Sequence, residues 1–345
     1  MSAACLKDMH LLSPTLSSSF VIGDLAVRNR VVLAPMSGVT DVPFRRLAFE
    51  HGAGLVVTEM VASRELVGKA RESFLRMEHA GGRPHMVQLA GREAGWMAEA
   101  AKVCEANGAD IVDINMGCPA KKVIGGYSGS ALMRDPDHAL SLIEATVKAV
   151  KIPVTVKMRL GWDETSINAP LIARRAEEAG VAMVTVHGRT RMQFYTGRAD
   201  WDAIRAVRDV LTIPLVANGD VDTRADAEEI LRRSGADAVM IGRAAQGRPW
   251  HPGVVAGMAR EPDAAGIAAI FSAHYRGMMD FYGEKSGVRH ARKHVGWYLD
   301  RHAGHLAPQE KGAIMTSDVP AEVLARVEAA ILSARPAGST GEMAA

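Results

Sequence analysis

The chain has 345 residues, 48% of them hydrophobic and 23% charged, with a formal net charge of +2. That composition is ordinary for a soluble globular protein and leaves room for one large domain and a smaller one. No run of about 18 apolar residues occurs, so no membrane span is expected. A near-neutral total charge leaves any nucleic-acid contact to local patches. The cysteines Cys5, Cys104 and Cys118 form no CxxC pair, which speaks against a disulfide framework or a metal site and for a reducing, cytoplasmic setting.

Residues 1–19 have no continuous apolar core of signal-peptide length and read as a flexible start. The segment 20–27, FVIGDLAV, reads as a small hairpin suited to covering the bottom of a larger fold. Short apolar runs then recur at 31–34, 55–58, 86–90, 111–114, 154–158, 183–186, 215–217 and 238–241. Each is apolar or β-branched throughout, as strands buried on both faces require. Amphipathic helical stretches lie between them at 43–51, 95–107, 137–150, 169–179, 201–211 and 224–233. Several stop at a turn residue: Gly52, Gly108, Gly180 and Gly235.

The pattern predicts an α/β fold, a closed (β/α)8 TIM barrel, in preference to an open doubly wound sheet. The strand count fits, and polar residues follow nearly every strand instead of clustering at one crossover. After Pro249 the strand-like runs cease, and the chain from about Pro262 to Ser333 is helical in pattern. The expected organisation is a barrel with its hairpin over 20–250, an all-helical domain over 251–333, and a Ser/Pro/Gly-rich disordered tail over 334–345.

In a barrel the loops after the strands share one face, where chemistry sits. The richest is Asn115-Met116-Gly117-Cys118-Pro119-Ala120-Lys121-Lys122. Gly before and Pro after Cys118 make a stiff bend that can hold a sulfur over a cleft. An ordinary thiol keeps its proton at neutral pH, which suits a proton donor, while Lys121 and Lys122 could activate a nucleophile. The stretch from Gly125 to Gly129 is rich in hinge residues and reads as a flap or as a plain glycine-rich loop. Cys104 reads as helix core.

Other strand ends contribute Pro35, Met36 and Ser37, then Glu59, Gln88, Lys157 with Arg159, and His187 with Arg189 and Arg191. The last two strands end in Asn218-Gly219-Asp220 and Gly242-Arg243, which match the phosphate cradle that barrels build after strands seven and eight. Lys157 should point into the mouth. There it could stand beside a ring that is anionic when reduced, such as a flavin, form a Schiff base, or neutralise Glu59 or Asp113. No G-x-G-x-x-G follows the first strand, so a nicotinamide donor would visit the open mouth and leave.

Taken in order, APMSGVTD (34–41), DINMGCP (113–119), VKMR (156–159), HGRT (187–190) and MIGR (240–243) resemble the tRNA-dihydrouridine synthases. IGRAAQGRPW (241–250) and ARKH (291–294) with Trp297-Tyr298 are most similar to the bacterial B branch. The resemblance covers about residues 20–302 and weakens beyond Arg301. It implies a flavin-binding barrel followed by a helical domain, and NADPH-dependent reduction of a D-loop uridine in tRNA. By the same resemblance FMN is held by Pro35, Met36, Ser37, Gln88, Lys157, His187, Asn218, Gly219, Asp220, Gly242 and Arg243. Ser37 stands where many members have Ala. Cys118 is the acid that protonates C5 while hydride goes to C6. Asn115 and Arg159 face the base, and Arg191 and Gln193 join the RNA contact.

Between Arg276 and Arg301 six basic residues face three acidic ones, and in 288–301 Val288, Ala291, Val295 and Tyr298 keep core spacing. Charge alone reads this as a solvated helix face; the resemblance makes it a phosphate track with Arg292 and Lys293 on it. No obligate protein partner is evident. The rival readings are an FMN barrel acting on a small molecule of the dihydroorotate or enoate type, a Schiff-base lyase, and a non-catalytic RNA-binding barrel.

Overall fold

A computed structural model describes residues 15–120, 123 and 127–334. Strands β1 (Phe20–Ile22) and β2 (Leu25–Val27) form the expected antiparallel hairpin. Next comes a parallel sheet made of β3 (Val31–Leu33), β4 (Leu55–Val56), β5 (Val61–Ala62), β6 (Met86–Ala90), β7 (Ile111–Met116), β8 (Val154–Arg159), β9 (Met183–His187), β10 (Leu215–Asn218) and β11 (Ala238–Ile241). Its order is β4-β3-β11-β10-β9-β8-β7-β6-β5. The two ends of that order are halves of one stretch of chain. β4 pairs with β3, β5 pairs with β6, and a bridge joins Val57 to Met86. The sheet therefore closes on itself as an eight-staved barrel. The strand expected over 55–58 breaks because Thr58 Oγ1 takes the Gln88 N–H at 3.0 Å, and Glu59 turns aside to accept the Gly38 N–H.

Side chains alternate along each strand, so every second residue faces the barrel interior. At the closed end Val32, Leu55, Met86, Ile111, Met183, Val216 and Ala238 join Phe20, Ile22 and Val27 of the hairpin in one apolar plug. Two residues further along, the inward positions become Gln88, Asp113, Thr155 and Thr185. Beyond them lie Asn115, Lys157, His187 and Asn218. The interior thus passes from dry and apolar to polar as it approaches the mouth.

The outer helices form where expected, with local signals that explain their ends. Val42–Glu50 starts at Asp41, whose side chain accepts from the Phe44 N–H. Arg224–Ser234 starts with a capping box of Thr223 and Asp226 and stops at Gly235 with φ +69°. The helix expected over 201–211 shrinks to Arg205–Arg208, because Trp201 leaves the helical path to donate its indole N–H to the Gly219 carbonyl at 2.8 Å. Two short helices, Ser63–Val67 and Arg71–Met77, were not expected.

After the barrel, helices Ala264–Tyr282, Glu284–His302, Pro308–Thr316 and Pro320–Ser333 pack around Phe271, Met278, Val295, Leu299, Val327 and Ile331. Val288, Ala291, Val295 and Tyr298 are all buried, as their spacing predicts. Trp250 and Leu47 from the barrel side enter the same core. Polar contacts fasten the joint: Arg301 Nε donates to the Gln246 carbonyl at 2.7 Å, and Tyr282 Oη to Asp41 Oδ2 at 3.2 Å. Among the described residues no helix is long and apolar enough to cross a membrane, and no group of three or more His, Cys, Asp and Glu side chains could hold a metal ion.

Candidate active site

The loop carrying Cys118 is held by a polar chain that starts inside the barrel. Thr155 Oγ1 donates to Asp113 Oδ1 at 2.6 Å, and Gln88 Nε2 donates to Asp113 Oδ2 at 2.7 Å. Gln88 Oε1 then accepts from Asn115 Nδ2 at 2.7 Å. Asn115 Oδ1 in turn accepts the backbone N–H groups of Gly117 and Cys118 at 3.2 and 3.0 Å. The Asn side chain so mimics a turn of backbone, which is how a strand can end in a tight bend. Ser130 closes the other side, with its N–H and Oγ both bonded to the Cys118 carbonyl, at 3.1 and 2.9 Å. The Cys118 thiol itself is free and half-buried, whereas Cys104 is fully buried and its thiol is pushed up to about 12 by that burial.

Lys157 is the register partner of Asn115 on the neighbouring strand. Its Nζ donates to Asn218 Oδ1 at 3.2 Å, and Asn218 Nδ2 donates to the Met240 carbonyl at 2.8 Å. Among the described residues no carboxylate lies within ion-pair distance of Lys157. Burial, and then the positive Arg159, bring its ammonium down to about 8, while Asp113 and Cys118 act in the opposite sense. Because Asn115 pairs with Lys157 and also holds the Cys118 N–H, the thiol loop and the ammonium lie at the same end of neighbouring strands. Asp113, fully buried, is raised to about 6 by that burial, against the pull of its hydrogen bonds and of Lys157.

His187 is held well below its usual range by burial, and further by the cations Lys157, Arg159, Arg189 and Arg243. Arg189 Nη1 lies 3.3 Å from His187 Nε2. A guanidinium can only donate, so Nε2 accepts and Nδ1 carries the proton of a neutral ring. Gly219, at φ +126°, lies against this ring: a Cβ there would come within 2.9 Å of His187 Cδ2 and 2.6 Å of Ala199 Cβ. The loops after β10 and β11 are tied by Asp220. It receives two hydrogen bonds from Arg189, at 3.0 and 2.5 Å, and one from Arg243 at 3.2 Å. Burial opposes its charge, but these bonds outweigh it and leave the carboxyl below its ordinary range.

Met36 starts the turn after β3, accepting from Val39 and Thr40, and Gly242 passes close enough that a Cβ there would lie 3.7 Å from Met36 Sδ. From the helical side, the Lys293 ammonium lies 2.8 Å from where a Cβ on Gly38 would be, so a cation from the second domain reaches the rim at this turn.

The family model described as Dihydrouridine synthase (Dus) matches residues 32–334. A probable tRNA-dihydrouridine synthase of Rhizobium leguminosarum bv. phaseoli is 74% identical over 303 residues, covering 88% of this chain and 95% of that one. The chain belongs to the dihydrouridine synthase family. The tRNA-dihydrouridine synthase B of Xanthomonas campestris pv. campestris is 48% identical over 288 residues, covering 81% of this chain and 87% of that one. Among solved structures, morphinone reductase in complex with tetrahydroNAD aligns with a TM-score of 0.51 at 17% identity, over 74% of this chain and 94% of that one. 2-Naphthoyl-CoA reductase aligns with a TM-score of 0.57 at 12% identity, over 73% and 53%. Those two likenesses concern the barrel fold alone.

The residues singled out on sequence fall into three groups in this family member. Asn115, Cys118, Lys157, His187, Asn218 and Gly219 converge at the mouth, with Gln88 one layer below them. Arg159 is buried, and its Nε and Nη1 are bonded to carbonyls; Gln193 Oε1 accepts the Thr190 N–H at 2.7 Å, inside its own loop. Arg292 lies on the helical domain, paired with Asp318 at 2.6 Å. Lys121, Lys122, Gly125 and Gly126 lie outside the described residues, as do 1–14 and 335–345. Sequence reading passed over Tyr195, which is 52% exposed and has the guanidiniums of Arg243 and Arg159 at 4.9 and 5.5 Å from its ring centre. An aromatic residue eight positions after His187 in a strand-end loop was the available signal.

Proposed function

We propose that this enzyme holds FMN in the barrel mouth, draws electrons from NADPH, and reduces the C5–C6 double bond of a D-loop uridine in tRNA, in the cytoplasm. One observation carries the reading: the Lys157 ammonium, with no carboxylate within ion-pair distance among the described residues, and the free thiol of Cys118 lie at the same ends of neighbouring strands. The Lys157 ammonium, with no carboxylate within ion-pair distance among the described residues, fits a ring that becomes anionic on reduction. A neutral His187 and the glycine at 219 fit a flat group lying close to the backbone.

Pro35, Met36, Ser37, Gln88, Lys157, His187, Asn218, Gly219, Asp220, Gly242 and Arg243 would hold the flavin. When bound and reduced, the flavin supplies a hydride for C6 of the uracil. Cys118 holds the proton for C5 on its Sγ, and the Asn115–Ser130 bracket fixes where that proton is offered. Asn115 and Arg159 orient the base. The uracil must leave any stack to enter the mouth, and the barrel floor below it excludes water. Arg191, Gln193, Arg292 and Lys293 take the RNA. The rival small-molecule reading gives no use to a second domain whose Lys293 reaches the mouth.

The test is in the cell. Dihydrouridine mapped across tRNA from a strain lacking this gene should vanish at a defined D-loop position and return with the intact gene. Full retention at every position, in a strain without a second synthase of this family, counts against the reading.

A further inference from the structure

Three loops on the mouth side bring their aromatic and guanidinium groups together outside the catalytic pocket. The Arg134 guanidinium lies over the Trp162 ring, 4.9 Å from its centre. Arg191 lies over the same ring at 4.8 Å and over Phe194 at 4.6 Å. Among the described residues neither arginine has a carboxylate within ion-pair distance. Arg191 is only 8% exposed, its Nε has no hydrogen-bond partner, and its Nη1 meets only the weak acceptor Met192 Sδ at 3.1 Å. A buried guanidinium without a counter-ion is costly, and aromatic faces offset only part of that cost. An anion would offset the rest.

The platform is firmly built. Arg191 N–H donates to the Gly161 carbonyl and Met192 N–H to the Trp162 carbonyl, both at 2.9 Å, so the loops after β8 and β9 are laced together. Phe194 sits at φ +50°, a conformation costly for a bulky side chain and held by its neighbours. The platform also adjoins the thiol. Arg134 ends the turn Gly129–Arg134, whose Ser130 holds the Cys118 carbonyl. Phe194 offers its carbonyl to the same Arg159 that holds Gly117.

We propose that the Arg134–Trp162–Arg191–Phe194 cluster is a docking site for one nucleotide next to the target uridine, its base stacked on the exposed Arg134 guanidinium that Trp162 backs and its phosphate neutralising the guanidiniums. Pulling one uridine into the mouth unstacks its neighbours, and an unstacked nucleotide is what planar cations and aromatic faces bind. The inference rests on the tRNA reading above.

It is tested on the full-length, flavin-loaded enzyme with an unmodified tRNA transcript at fixed salt. Trp162→Ala and Arg134→Gln should each weaken tRNA binding roughly tenfold. Trp162→Phe should retain most of the affinity. Arg134→Gln, a change at an exposed side chain, should also lower the salt dependence by about one phosphate. Flavin reduction by NADPH is followed in the same samples. Unaltered tRNA affinity in both variants overturns the site, as does a weakened NADPH response with tRNA binding intact. Failure of the wild-type enzyme to be reoxidised by tRNA would instead strike the functional reading itself.

Discussion

Arg159 donates through Nε to the carbonyl of Gly117 at 2.9 Å, one residue before Cys118. Its Nη1 reaches the carbonyls of Thr190 and Phe194 at 2.8 and 2.9 Å. One buried guanidinium thus clamps the thiol loop to the loop after β9. Lysine has the charge and three donors, but all on one nitrogen, so it cannot stand at both the Nε and the Nη1 positions that meet these carbonyls. Arg159→Lys should lower stability by about 1–3 kcal/mol, read from denaturant melts, because buried acceptors lose their donor. Transfer to tRNA should slow more than flavin reduction does, since only the former needs the thiol in register.

Lys157 gives a pH signature. Its ammonium is brought down to about 8, so it is mostly charged at neutral pH and loses its proton as pH rises through that value. Support for an anionic reduced ring should fade over the same range. The rate of flavin reduction by NADPH, measured from pH 6.5 to about 9.5, should therefore fall on the alkaline side. Lys157→Met should be slow throughout and lack that inflection. His187, held neutral, should add no inflection of its own between pH 5 and 8.

Asp113 sets a different dependence. Its folded-state value is raised to about 6, so its protonated form is favoured by folding. The contribution is fully present below the ordinary carboxylate range and is lost as pH rises through about 6. Asp113→Asn should flatten stability against pH between about 4 and 6, with a wild-type difference of up to roughly 3 kcal/mol across that window. Parallel melting curves for the two proteins over this range would contradict it.

On the helical side the two neighbouring cations are not equivalent. Arg292 is engaged with Asp318, whereas Lys293 has no acidic partner among the described residues and lies at the mouth beside Gly38. Lys293→Met should cost more tRNA affinity than Arg292→Met, and should lower the salt slope by about one phosphate. Equal losses would mean that Asp318 releases Arg292 on binding.

Most of the barrel was legible because buried parallel strands write themselves as apolar runs, and the glycines at 52, 108, 180 and 235 mark helix ends with positive φ. The broken second strand was not, since Thr58 replaces a ladder bond through its side chain and no run of residues announces that. Nor was the short helix at Arg205–Arg208, because the pull of Gly219 on Trp201 is tertiary. At the site, residue types and strand ends pointed to Cys118, Lys157 and His187. The polar chain from Thr155 through Asp113 and Gln88 to Asn115 joins three strands and has no signature in any one of them. The clamp made by Arg159 is hidden for the same reason: its carbonyl partners at Gly117, Thr190 and Phe194 lie on other loops.

The most direct measurement compares the two half-reactions in a Cys118→Ala variant loaded with FMN. Reduction by NADPH should proceed at the wild-type rate, while dihydrouridine formation on a bound tRNA transcript should slow by roughly 10²–10⁴-fold, the loss expected when a general acid is removed. Dihydrouridine formed by that variant at the wild-type rate would contradict the assignment of the proton to Cys118 and the mouth geometry built around it.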